Sequence, residues 1–187
     1  MKYNLDWLLE EYDKGTPMKY LFFWGHTPKT KTSIDKSCFS QWFPSVFQID
    51  DNSYPTAEHW MMAKKALLFE DNKIFAEILE SDSPALAKKL GRKVQNFIPE
   101  VWDAHKYEIV VEGNLHKFGQ NAALQAFLLT TGNRILVEAS PYDKIWGIGK
   151  TANAKMIENP HTWNGENLLG FALMEVRDKL NFNNDDV

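Results

Sequence analysis

Residues Tyr54 to Phe69 read YPTAEHWMMAKKALLF. Pro55 and Thr56 suit the start of a helix, and the run after them holds apolar residues at helical spacing. The same run carries Glu58, His59 and two adjacent lysines, Lys64 and Lys65. Glu58 falls in the first turn, where exposed backbone N–H groups and the helix dipole favour a negative charge. Lys65 follows seven residues later, almost two turns on, so it shares a face with Glu58, and Met62 lies between them. Lys64 points elsewhere. Such a face is a solvent stripe or the wall of a pocket, and periodicity alone leaves both open. His59 faces differently from Glu58 and reads as a capping or core histidine before a catalyst.

The rest of the chain resolves into elements around this helix. Leu5, Leu8, Leu9 and Tyr12 predict a short N-terminal helix ending near Gly15 and Pro17. YLFFWG, Tyr20 to Gly25, suits a buried strand, and the lysine-rich HTPKTKTSIDKS after it suits a loop bordering a site. A second strand, Val46 to Ile49, enters a turn through Asp50, Asp51 and Asn52. NKIFAEILE predicts a helix. Ser83 and Pro84 cap another, with Gly91 as its terminator, and Pro99 opens a longer one. Asn121 starts AALQAFLLTTG, which Gly132 stops; RILVEA reads as a strand, SPYDKIWGIG as a loop, and ENLLGFALMEVRDKL as a final helix. Helices with a few short strands make an α+β, mainly helical, single compact domain. The expected bounds are an N-terminal helical extension at 1–17, the domain at 18–181 and a frayed tail at 182–187.

Composition limits the function. The 187 residues are 44% hydrophobic and 13% aromatic, enough for a sizeable core. Seven Trp and twelve Phe also offer stacking surface for a flat ligand. A net charge of −4 argues against broad attraction to a polyanion, though a local basic pocket remains open. Cys38 is the single cysteine, which excludes an internal disulfide and a multi-cysteine zinc site. Asp6, Glu10 and Glu11 interrupt the start where a signal peptide needs an apolar run, and no stretch approaches the roughly 18 apolar residues of a membrane span. The expectation is a cytoplasmic protein without a membrane partner. Phosphate-loop, GxGxxG and HExxH motifs are absent, and no metal or cofactor is expected.

Outside the opening helix, EASPYDKIWGIG supplies Glu138, Asp143, the indole of Trp146, and Gly147 and Gly149, glycines that let backbone approach a ligand. KLGR and HKFG supply Arg92 and Lys117, phosphate ligands or solvated charges.

YPTAEHWMMAKKALLF, AKKLGR, HKF, LLTTG, LVEASPYDKIWGIG and NLLGFALMEVR, in this order from about Tyr20 to Leu180, resemble the NADAR, or YbiA-like, family. The resemblance implies a compact, mainly helical fold and N-glycosidase activity. It implies substrates that are either ribosylamino-pyrimidine phosphates of early riboflavin synthesis or ADP-ribosylated guanine, free or within nucleic acid. The family's glutamate corresponds to Glu58, its lysine before alanine to Lys65, and the acidic residue and tryptophan of its WGIG segment to Asp143 and Trp146. Many members carry Gln at the position of Met62, and SNF where SQWFP stands here. A hydrogen bond to substrate is therefore either absent here or supplied by another residue, such as Gln41.

Cleavage of an N-glycosidic bond develops positive charge at the anomeric carbon, which a fixed carboxylate such as Glu58 stabilises. A neutral Lys65 amine, its pKa depressed by burial and by Lys64, offers a covalent route through a Schiff base. Asp143 positions a ribose hydroxyl or water, Trp146 stacks on the base, and Gly147, Glu138, Arg92 and Lys117 complete the expected substrate contacts. The competing expectation is a non-catalytic module for ADP-ribose or another NAD-derived nucleotide. The oligomeric state is not legible.

Overall fold

The computed structural model describes residues 1–30 and 33–182. In chain order the elements are α1 (Leu5–Asp13), β1 (Tyr20–Phe23), β2 (Phe47–Ile49), β3 (Asn52–Tyr54), α2 (Ala57–Leu68), α3 (Asn72–Leu79), α4 (Pro84–Gly91), α5 (Pro99–Gly119), α6 (Ala122–Leu129), β4 (Ile135–Glu138) and α7 (Leu168–Phe182). The α+β, mainly helical class is as expected. Of the expected tail, residues 183–187 lie outside the described residues, as do residues 31 and 32 of the lysine-rich loop. Contacts divide the chain into two compact units: Gln41–Ala122, and Met1–Ser40 with Ala123–Val187.

The unit Gln41–Ala122 is built around α2. Thr56 caps the helix: its hydroxyl oxygen accepts the His59 N–H at 3.4 Å. Every residue from Ala57 to Ala63 is buried, because α3, α4 and α5 all pack on this helix. The Trp60 indole N–H donates to the Ile109 carbonyl of α5 at 2.8 Å. Gly113 of α5 makes room for that indole, since a Cβ there would lie 2.2 Å from Trp60 Cδ1. Gly91 does the same for Met62: a Cβ would stand 2.1 Å from the Met62 sulfur. Gly91 was expected to terminate its helix. It is instead the last residue inside α4, and its missing side chain serves helix packing. The turn expected through Asn52 is shorter than predicted. Asp50 takes a left-handed conformation (φ 51°), which lets Asn52 join β3 in a hairpin with Phe47 opposite Tyr54.

In the flanking unit, β1 and β4 pair in parallel, with Tyr20 opposite Ile135 and Phe23 opposite Glu138. The start of α7 lies against the other edge of β4. Asn167 is fully buried with φ 56°, and its side chain donates to the Leu136 carbonyl at 2.9 Å while accepting the Glu138 N–H at 2.9 Å. Gly170 permits that approach, because a Cβ there would lie 2.0 Å from the Leu136 oxygen. Further along α7, the Arg177 guanidinium donates to Thr131 Oγ1 and to the Arg134 carbonyl, each at 2.9 Å. These bonds fix α7 to the chain between α6 and β4. Phe23, Phe39, Leu128, Leu136, Ile148 and Phe171 form the core of this unit.

Candidate active site

The charges of α2 are not a solvent stripe. Glu58 is only 2% exposed, and its backbone N–H donates to the Gln41 carbonyl at 3.0 Å. Its place in the first helical turn puts the carboxylate where the helix dipole favours an anion. Gln41 is itself buried, and its amide nitrogen makes no hydrogen bond. The neighbouring His59 is a structural group, as its position predicted. Its Nε2 faces the Ser81 carbonyl at 3.2 Å and its Nδ1 the Thr56 hydroxyl at 2.8 Å. A carbonyl can only accept, so Nε2 carries the proton and the hydroxyl donates to Nδ1. Burial holds the His59 pKa below its ordinary value, which keeps this neutral form.

Two turns on, the Lys65 amine lies 4.1 Å from the Phe97 ring centre and 5.6 Å from that of Trp102. Burial, and then the Arg92 guanidinium, push its pKa below that of an ordinary lysine. This corrects the expectation that Lys64 would do so. Lys64 turns to another side, its amine 5.1 Å from the Trp60 ring, where it lines a cleft with His105, Glu108 and Glu112. Arg92 is exposed, just past the end of α4. Met62, between Glu58 and Lys65 in sequence, spends its side chain on Gly91.

Lys117 departs from expectation. Read as a phosphate ligand or solvated cation, it is fully buried, its amine 5.1 Å from the Phe118 ring and 5.9 Å from that of Phe43. Such burial removes it from the free solvent face. Sequence reading also missed Phe97 and Trp102 as the surroundings of Lys65. The only signal was a pair of aromatic residues flanking Pro99.

The flanking unit holds the remaining expected residues in one turn. Asp143 Oδ1 accepts the N–H groups of Ile145 and Trp146 at 2.9 and 2.8 Å. This carboxylate oxygen thus shapes the loop that carries Trp146, which is half-buried. Gly147 was expected to bring backbone close to a ligand. The space is filled by protein instead: a Cβ there would lie 2.8 Å from the Glu138 carbonyl and 3.1 Å from that of Asp143. The Ile148 N–H completes the turn by donating to the Glu138 carbonyl at 3.0 Å. Glu138 closes β4 and is half-buried.

Residues 22–181 match the NADAR domain model. The chain belongs to the NADAR family. A relative from Acanthamoeba polyphaga mimivirus, N-glycosidase R617, is 48% identical over 166 residues, covering 86% of this chain and 96% of that protein. N-glycosidase YbiA of Escherichia coli is 33% identical over 149 residues, 80% of this chain and 84% of the other. The NMR structure of E. coli YbiA superposes with a TM-score of 0.71 at 29% identity, covering 91% of each chain. With these relatives, the NADAR chain is an enzyme, an N-glycosidase. No helix among its described residues is long and apolar enough to cross a membrane.

Proposed function

We propose that this N-glycosidase cleaves the bond between a nitrogen base and a ribosyl phosphate or ADP-ribosyl group. A riboflavin-synthesis intermediate and ADP-ribosylated guanine are the two substrate classes. The observation that carries the reading is the pairing, on one helix, of a buried carboxylate with an amine whose pKa is depressed. Glu58 stabilises the positive charge that develops at the anomeric carbon as the base departs. When the sugar ring opens, its oxygen takes a proton and C1 becomes doubly bonded to the nitrogen of the base; neutral Lys65 attacks that C1, its two amine protons pass to the departing nitrogen as the C1–N bond breaks, the base leaves as a free amine, and water then hydrolyses the Lys65 imine.

Arg92, exposed beside Lys65, serves the phosphate. The net charge of −4 favours a small nucleotide-like substrate over a long polyanion. A cytoplasmic setting belongs to the same proposal, since the single buried thiol, Cys38, needs no oxidising compartment.

The test is to incubate the purified protein with both substrate classes and follow products by mass spectrometry. Free base with ribose phosphate, or free guanine-containing product with ADP-ribose, is expected. Recovery of both substrates intact would sink the assignment.

A further inference from the structure

The flanking unit buries most of its large side chains but leaves two rings open beside each other. Trp24 is 55% exposed and Tyr142 is 86% exposed. Their ring centres lie 6.1 Å apart, with the planes inclined at 54°. Both are mounted on rigid backbone. Trp24 follows Phe23, the last residue of β1, and the Phe23 carbonyl accepts the Ala139 N–H at 2.8 Å just beyond the end of β4. The Ser140 hydroxyl then accepts the backbone N–H groups of Tyr142 and Asp143 at 3.3 and 3.2 Å. The rings therefore stand at the carboxyl ends of two paired parallel strands.

The geometry selects a flat guest. Two planes at 54° cannot sandwich a ring, but they offer one face and one edge to a single ring system, both favourable aromatic contacts. The loops that carry the rings also carry cations. Lys29 and Lys144, in the loops that follow the two strands, are exposed and make no ion pair among the described residues. Two acids of these loops turn their carboxylates to backbone: Asp35 accepts from Lys29 and Ser37 N–H groups, and Asp143 from Ile145 and Trp146. A flat ring joined to a negative charge is the chemistry of a nucleotide.

We propose that Trp24 and Tyr142 form the base-binding platform for a mononucleotide-sized ligand, stacking its nucleobase. The assignment rests on the reading of the substrate as nucleotide-like, and it makes these two residues determinants of base affinity rather than of bond cleavage.

Binding of AMP, CMP and ribose 5-phosphate to the full chain, measured by calorimetry, tests it. Wild type should bind at least one of the two nucleotides more tightly than ribose 5-phosphate. Trp24→Ala and Tyr142→Ala should each weaken that nucleotide about tenfold or more, as loss of a base–aromatic stack does, without changing ribose 5-phosphate binding. Trp24→Phe and Tyr142→Phe should restore most of the affinity. Both side chains are exposed, so circular dichroism should show every variant folded. Nucleotide affinity equal to that of ribose 5-phosphate in wild type, or unchanged in both alanine variants, overturns the platform. The calorimetric readout needs no bond cleavage, so a failed cleavage assay leaves this result standing on its own.

Discussion

The amine of Lys65 lies 4.1 Å from the centre of the Phe97 ring, and that same amine has its pKa lowered by burial and by Arg92. An aromatic face tolerates an ammonium without neutralising it. The lysine is thus retained in the half-buried position where a free amine is most easily formed.

If Lys65 forms an imine with substrate, borohydride added during turnover traps a covalent adduct on the peptide that carries it. Lys65→Arg keeps the charge and should abolish trapping. Lys64→Arg, on the side lined by His105 and Glu108, should leave trapping and turnover intact. Active hydrolysis with no adduct, and retained activity in Lys65→Arg, would reduce Lys65 to an electrostatic role.

The rate should rise with pH as Lys65 loses its proton, with an apparent pKa below the ordinary value of 10.5. Arg92→Gln removes one cause of the depression, so this limb of the kcat/KM profile should shift towards higher pH. Stability carries the same sign. Between the lowered folded pKa and 10.5 the unfolded chain binds more protons, so stability rises with pH across that window and the penalty is fully present below it. Urea midpoints of wild type and Lys65→Met at two pH values within the window check this; parallel responses would contradict it.

Glu58→Gln preserves shape and removes the charge. Turnover should fall about 100-fold, roughly 2.7 kcal/mol of transition-state stabilisation, with a circular dichroism spectrum like that of wild type. Near-normal turnover would exclude an electrostatic role.

Gly113→Ala sets two effects against each other. Helix propensity favours alanine by about 1 kcal/mol. Against it, the new Cβ would stand 2.2 Å from Trp60 Cδ1 and 2.7 Å from Nε1. A rigid indole held by its bond to Ile109 cannot swing aside cheaply, so overpacking should win and the variant should lose about 3 kcal/mol in urea unfolding. A gain in stability would show that Trp60 is free to move.

Helix starts were the most legible part of this fold. Thr56, Ser83 and Pro99 announce α2, α4 and α5 through local chemistry that acts within three or four residues. Burial was not legible in the same way. Glu58, Lys117 and the packing glycines Gly91 and Gly113 depend on helices far apart in sequence, and a charged residue at helical spacing looks the same on a surface or in a core. The cause of the Lys65 shift failed for this reason too. Lys64 is its neighbour in sequence, whereas Arg92 arrives from just past the end of α4. Asn167 gave no sign either, because only its place beside β4 explains its left-handed backbone.

That asparagine has a bearing on solubility. A two-stranded sheet exposes a row of unused donors and acceptors on each outer edge, and such rows recruit strands from other molecules. On β4 the outward groups are those of Leu136 and Glu138. The Asn167 amide engages the Leu136 carbonyl and the Glu138 N–H, and Ile148 takes the Glu138 carbonyl. One side chain and one backbone amide thus stand in for a third strand, so this edge offers no ladder for a second molecule to extend into an aggregate.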